Sequence, residues 1–348
     1  IGDVHYALNK IDSAITIWKK AIYIEGIIGD KRGISRLKIL NCITSRVFDS
    51  EEEEHNYHLQ SVALAKELED SISIAKNLME AGNTISNTIK KEDYYNQALK
   101  IYDLLGDIGN MVRATDFIGN IYLRNQEFDR ALGYYNNALR IAEEGDKKDE
   151  MIIPLFYIGL VYDKKGELNR ALTYYKHALK IAEETNSENT PWLLDTIAQS
   201  YQKHCDFENA LVYNTHSLKI YEQIDNKNGV GNTFRNIGVN YRYMGDYDKA
   251  LDYFNRSNQI TEEQGNKNLI SRSLTSLGIC YYERSYDEDV YLTHVNNQFK
   301  VIEHLENSIS IKREIGVAEV DLLWEQTWLF LSKKNLEIEY DIQALNMI

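Results

Sequence analysis

The chain has 348 residues, of which 43% are hydrophobic and 26% are charged, and its formal net charge is −14. The composition is typical of an ordinary folded protein, and the acidic balance argues against binding to nucleic acids or anionic membranes, which need clustered Lys and Arg. The longest apolar run, Met151 to Tyr162, has 12 residues and contains Pro154, so it is too short to span a bilayer. We therefore expect no nucleic acid and no membrane among the partners.

Residues 1–105 predict degenerate helical hairpins. Small residues at spacings of 12 and 19 occur at Gly2, Ala14 and Ala21, and the same spacing of 19 separates Cys42 from Ser61. A later unit contains Gly82, Tyr94-Tyr95 and Ala98-Leu99. The chain begins without Met and inside the first of these patterns, so we expect it to be a fragment of a longer protein.

Residues 111–262 repeat one pattern with a period of 39 or 40 residues. Each copy has an apolar–small pair, then a Tyr, an Ala, an aromatic residue and a second small residue, as in Gly119, Tyr122, Ala131, Tyr135 and Ala138. These steps of three and four residues define one helix face, and the small residues lie where two helices approach closely. The repeat therefore predicts stacked antiparallel helix pairs, none of which can bury its apolar face alone.

The last part of the chain departs from this spacing. In residues 270–316, Gly278 and Ser308 are 30 residues apart instead of 19, so about 11 residues, roughly 286–297, are inserted in one hairpin. The insertion is either a functional surface segment, with Asp287-Glu288-Asp289 as its acidic groups, or only a longer helix pair. Residues 317–348 predict C-terminal capping helices, which we expect to pack through Trp324, Trp328 and Phe330.

The repeated residues resemble the tetratricopeptide repeat across most of the chain. The early Trp of that family is replaced by Thr115, Leu155, Leu194, Phe234 and Leu274, the closing proline is absent, and the period exceeds the usual 34 residues. The resemblance implies an all-α protein, a right-handed α-α superhelix in which residues 1–348 form a single solenoid of about eight stacked antiparallel helix pairs. Asn214 stands where other copies have an aromatic residue, which predicts a looser core in that unit.

No motif predicts an enzyme. The motifs G-x-S-x-G, H-E-x-x-H and the Walker loop are absent, and Gly229-Val230-Gly231 lacks the third glycine of a dinucleotide loop. His55 and His58 lie beside glutamates, a pattern more typical of a solvated helix start than of a metal site. His204-Cys205 falls in a tight turn, and the odd, well-separated cysteines favour reduced thiols in a cytoplasmic protein. We therefore expect no catalytic residue, no metal and no cofactor.

The resemblance also implies a partner-binding surface, because leading helices in this family line a concave face that contacts an extended peptide or a helix. Phe156, Leu160, Trp192, Val239 and Ile279 are apolar on this face, which indicates a ligand. The full face, placed by register, comprises Arg113, Asp116, Asn120, Arg124, Phe156, Leu160, Asp163, Trp192, Asp195, Gln199, Gln202, Arg235, Val239, Arg242, Arg272, Thr275, Ile279 and Tyr282.

Two functions follow from the resemblance. The first is a non-enzymatic scaffold that binds a peptide or helix of a partner protein on the concave face. The second is the regulatory sensor of a longer chain with a covalently linked kinase, cyclase, protease or DNA-binding domain, because turns such as Gly145-Asp146-Lys147 resemble those of bacterial arrays with such effectors. Asp116 and Asp195 stand where family members bind a terminal carboxylate through Lys and Asn, so we do not expect recognition of that group.

Overall fold

The structure, a computed structural model, describes residues 50–67, 69–287 and 291–346. Within these residues the secondary structure consists of α-helices and two short 3-10 segments, Asp149–Met151 and Glu319–Leu322, with no strand. The α-helices are α1 (Glu51–Glu67), α2 (Ser71–Thr84), α3 (Thr88–Leu105), α4 (Ile108–Arg124), α5 (Phe128–Glu144), α6 (Ile152–Lys164), α7 (Leu168–Glu184), α8 (Thr190–Lys203), α9 (Phe207–Gln223), α10 (Lys227–Tyr243), α11 (Tyr247–Glu263), α12 (Lys267–Asp287), α13 (Tyr291–Glu314) and α14 (Leu323–Asn346).

The chain divides into two compact units, the first ending at Ile181 and the second beginning at Ala182, so the boundary lies near the end of α7. In the first unit, α2 packs on α3, α4 on α5 and α6 on α7, and in the second unit, α8 packs on α9, α10 on α11 and α12 on α13. The predicted all-α fold of consecutive helix pairs is confirmed. The patterns at Gly2, Ala14, Ala21 and Cys42 lie outside the described residues.

Two of the short turns between successive helices, before α4 and before α9, have the same design. Gly106 and Cys205 both adopt left-handed backbone angles, with φ of 65° and 59°. The next residue, Asp107 or Asp206, caps the following helix, because its carboxylate accepts the backbone N–H three residues later. One residue therefore ends a helix and its neighbour starts the next. The turn predicted at His204-Cys205 is a junction of this kind.

A glycine of the leading helix meets an aromatic ring of the following helix in most pairs. A Cβ placed on Gly159 would lie 2.7 Å from two ring carbons of Tyr175 and 3.2 Å from the carbonyl oxygen of Ala171. The ring therefore packs directly on the helix backbone, where only a hydrogen atom fits. The equivalent contacts are Gly82–Tyr95, Gly119–Tyr135 and Gly238–Phe254.

In the α8–α9 pair, different residues occupy the glycine position and the ring position. Ala198 replaces the glycine and Asn214 replaces the ring, and each is only 1% exposed. A methyl group and a carboxamide therefore stand where the other pairs have a hydrogen atom and a ring. The Oδ1 atom of Asn214 has no hydrogen-bond partner in the described structure, which is one cost of this arrangement.

The insertion near residues 286–297 lengthens two helices. α12 has 21 residues and α13 has 24, whereas α10 and α11 have 17 each. Leu305 lies against Gly278, in the place that an aromatic ring takes in other pairs. Ser308 and Ile309 are buried, as expected for the packed face of the second helix. Residues 288–290, between these helices, are outside the described range.

The C-terminal helix α14 follows the α12–α13 pair. Trp328 packs edge-on against Tyr282, with ring centroids 4.4 Å apart. Contrary to expectation, Trp324 and Phe330 are 53% and 63% exposed, although the Trp324 ring contacts that of Trp328 with centroids 5.8 Å apart. Across the described helices, no segment combines the length and the apolar character that crossing a membrane requires.

Candidate binding surfaces

Two aspartates of the predicted face are buried rather than open to a ligand. Asp116 is 3% exposed, and burial together with the nearby Glu150 carboxylate raises its pKa well above the usual value. Asp195 is 6% exposed and accepts a hydrogen bond from the Tyr221 hydroxyl at 3.2 Å. Burial raises the pKa of Asp195 to about 6. Register alone placed both carboxylates on the surface, but the structure places them between helices.

The first unit contains a wide cleft of ≈ 850 Å³ that includes two predicted residues, Asn120 and Arg124. The Tyr135 hydroxyl donates to Oδ1 of Asn120 at 2.8 Å. The same arrangement occurs one pair earlier, where the Tyr95 hydroxyl donates to Oδ1 of Asn83 at 2.7 Å. Because the glycine contacts hold both rings in place, the phenols fix the two carboxamides in the wall of the cleft.

The rest of this cleft is polar, with charges of both signs and two further rings. Phe117 and Tyr157 supply apolar surface. Burial, then the carboxylates of Glu80 and Glu51, raises the pKa of Glu54. Burial and the charge of Arg124 lower the pKa of Lys91. The cleft therefore offers acidic, basic and amide groups together.

The second unit contains a smaller cleft of ≈ 280 Å³ between α10, α12 and α13. Six predicted residues meet in its wall: Arg235, Val239, Arg242, Arg272, Thr275 and Ile279. Tyr243, Ser276 and Lys312 also line it and were not predicted. The side chain of Ile279 is 8% exposed, so it forms the floor of the cleft rather than an open surface.

Two of the four basic groups in the second cleft are neutralised by carboxylates. Nη1 of Arg242 lies 2.6 Å from Oε1 of Glu283. Lys312 forms an ion pair with the buried Glu325. The other two basic groups of the cleft are Arg235 and Arg272.

Arg235 and Arg272 form no ion pair with a carboxylate of the described chain. Arg235 donates through Nη2 to Oδ1 of Asn236 at 3.0 Å, while its buried Nε has no hydrogen-bond partner among the described residues. Burial, followed by the positive charge of Arg272, lowers the pKa of Arg235 to about 10. The guanidinium therefore remains charged at neutral pH without a counter-charge.

The remaining predicted residues do not join either cleft. Arg113, Trp192 and Gln199 are exposed. Gln202 donates through Nε2 to Oδ1 of Asn240 at 2.8 Å and so connects α8 with α10. Phe156, Leu160, Asp163 and Tyr282 are half-buried.

His58 is buried between helices, and burial lowers its pKa to about 4. The part of the chain that the structure describes contains no group of three or more His, Cys, Asp and Glu residues placed to hold a metal ion.

The sequence pattern did not predict Asn83 in the first cleft or Lys312 in the second, for two different reasons. Asn83 follows Gly82 as Asn120 follows Gly119, so the signal was present in the degenerate unit. Lys312 lies on a following helix beyond the insertion, where the register is interrupted. A face defined only by leading helices could not include it.

Comparison with known proteins identifies the repeat. The model of the family described as "Tetratricopeptide repeat" matches residues 110–184 and 229–288. No curated protein sequence gives a significant match.

Solved structures with the same fold include BtubC (BKLC) from P. vanneervenii, with a TM-score of 0.57 and 19% identity over 63% of this chain and 94% of that protein. The apo form of RapI gives a TM-score of 0.57 and 17% identity over 82% of this chain and 99% of RapI. A Rap protein complexed with Competence and Sporulation Factor gives 0.51 and 15% identity, over 89% of this chain and 82% of that protein.

Proposed function

Because this chain is a tetratricopeptide-repeat protein, we propose that it is a non-catalytic interaction module that holds a peptide segment of a partner protein against its leading helices. The observation that carries the proposal is the Asn120 carboxamide in the first cleft, fixed by the Tyr135 hydroxyl at 2.8 Å. With its oxygen already engaged, the amide presents its N–H groups as donors. A peptide backbone supplies carbonyl acceptors for them in any sequence.

The surroundings of Asn120 support a peptide rather than a small polar ligand. The cleft is ≈ 850 Å³ and open, and it contains the rings of Phe117 and Tyr157, on which side chains can pack. The complex of a Rap protein with Competence and Sporulation Factor supports the proposal only as a precedent for a complex on this fold. The low identity limits that comparison to the fold.

The test measures retention of a random nine-residue peptide library on the immobilised chain. Asn120→Asp keeps an oxygen for the Tyr135 hydroxyl but removes the N–H donors. We expect it to lower retention about fivefold, the effect of one lost hydrogen bond. Asn136→Asp makes the same change at an exposed site on α5 and should leave retention unchanged. A parent chain that retains no peptide, or equal retention by the two variants, would contradict the proposal.

A further inference from the structure

We propose that the second cleft binds the side-chain carboxylate of an Asp or Glu in the partner segment, with an apolar neighbour of that residue against Val239 and Ile279. This inference rests on the proposed function, since the ligand is part of a peptide. It adds a specificity that neither the family nor the sequence pattern assigns, through Arg235 and Arg272 on two successive leading helices.

The charge balance of the cleft is the first argument. Arg242 and Lys312 each have a carboxylate partner within the chain, Glu283 and Glu325. Arg235 and Arg272 have none among the described residues, although the protein has 53 acidic residues against 39 basic ones. A partly buried guanidinium without a counter-charge is costly, and an anionic ligand would remove that cost.

The donors of the cleft suit a planar anion. The guanidinium groups of Arg235 and Arg272 line the same cleft, and Arg272 lies close enough to lower the pKa of Arg235. The Nε of Arg235 is buried, so the Nη groups are the ones available to a ligand. A carboxylate has two oxygens in one plane, so it can accept from both guanidinium groups at once. Water is partly excluded at Arg235, which strengthens such a hydrogen bond relative to one on an open surface.

Size and apolar surface favour a single side chain on a peptide. The cleft volume of ≈ 280 Å³ lies just below the range of pockets that enclose drug-sized ligands. Val239 and Ile279 lie in the same wall as the arginines. An acidic residue next to an apolar one would satisfy both parts of the wall.

The experiment compares three pools of labelled nine-residue peptides on the immobilised full chain. Random uncharged residues surround a central Glu, Gln or phosphoserine. We expect the Glu pool to be retained about tenfold more strongly than the Gln pool, as for a charge-assisted hydrogen bond. Arg272→Gln should abolish this preference, and Arg235→Gln should do the same. Arg256→Gln removes the same charge at an exposed site on α11 and should preserve the preference.

The outcomes separate this inference from the proposed function. Equal retention of the Glu and Gln pools by the parent overturns the carboxylate site while peptide binding stands. A preference that survives both Arg235→Gln and Arg272→Gln also overturns it. Retention of the phosphoserine pool well above the Glu pool reassigns the cleft to phosphate and refutes the carboxylate proposal. No retention of any pool contradicts both proposals.

Discussion

Replacing one glycine of the helix interface by alanine should destabilise the protein, although alanine is the better helix former. At Gly159 the new Cβ would lie 2.7 Å from two ring carbons of Tyr175, well inside van der Waals contact. The ring is 1% exposed, so it cannot move into solvent. Overpacking of this kind costs about 1–3 kcal/mol. Against a gain of about 1 kcal/mol from helix propensity, the net loss is up to about 2 kcal/mol.

Gly133 provides the matched control. It lies on α5, is exposed, and a Cβ there would meet no atom within 4 Å. Gly133→Ala should therefore stabilise the protein by about 1 kcal/mol. The same chemical change is expected to act with opposite signs at two helical positions of one unit.

The assay is denaturant unfolding followed by far-UV circular dichroism, with the variants compared by transition midpoint. Midpoints are preferable to extrapolated free energies because a repeat array does not need to unfold in a single step. A midpoint for Gly159→Ala at or above that of Gly133→Ala would refute the proposed contact between the backbone and the ring.

Three further predictions concern buried groups. Arg235→Met should raise the free energy of unfolding by up to about 3 kcal/mol, since the pKa falls to about 10 from 12.5 at about 1.4 kcal/mol per unit; an unchanged urea midpoint would contradict it. The pKa of Asp195 is raised to about 6 from 3.8, which favours the protonated carboxyl in the folded state. The free energy of unfolding of the parent should therefore fall as the pH rises from 4 to 6. Asp195→Asn should remove about 3 kcal/mol of that fall in urea titrations, and an identical pH profile would contradict this. Asn214→Tyr and Ala198→Gly should each destabilise alone but compensate when combined, with a coupling of about 1–3 kcal/mol in a double-mutant cycle, whereas additive effects would disprove their contact.

The helix pairs were predictable because the packing rule is local to the sequence. The glycine and the ring of Gly119 and Tyr135 recur at the same spacing at Gly159 and Tyr175 and at Gly238 and Phe254, and that spacing places a small and a large residue opposite each other. In the hairpin with the insertion the spacing is 11 residues longer, and Leu305 takes the place of the ring. The exposure of Trp324 and Phe330 was not predictable, because an apolar side chain in a terminal helix can lie on either side of it.

The site was only partly predictable because its charge balance depends on distant residues. Six residues of the second cleft follow from register alone. The partner of Arg242 is Glu283, 41 residues later, and the partner of Lys312 is Glu325 on α14. These two ion pairs cannot be read from the sequence. The sequence pattern alone therefore does not distinguish Arg242 and Lys312, which are neutralised, from Arg235 and Arg272, which are not. The burial of Asp116 and Asp195 likewise depends on neighbouring helices.

The contact between a leading-helix glycine and a ring also limits which substitutions the two positions tolerate, and in which order. Replacing the glycine first overpacks the interface, and replacing the ring first leaves a cavity. Either order passes through a less stable intermediate, so a change at one position favours a compensating change at the other. Ala198 with Asn214 is the combination that such a paired change would give. Exposed positions have no such linkage, which leaves them free to diverge from copy to copy and to acquire separate binding specificities.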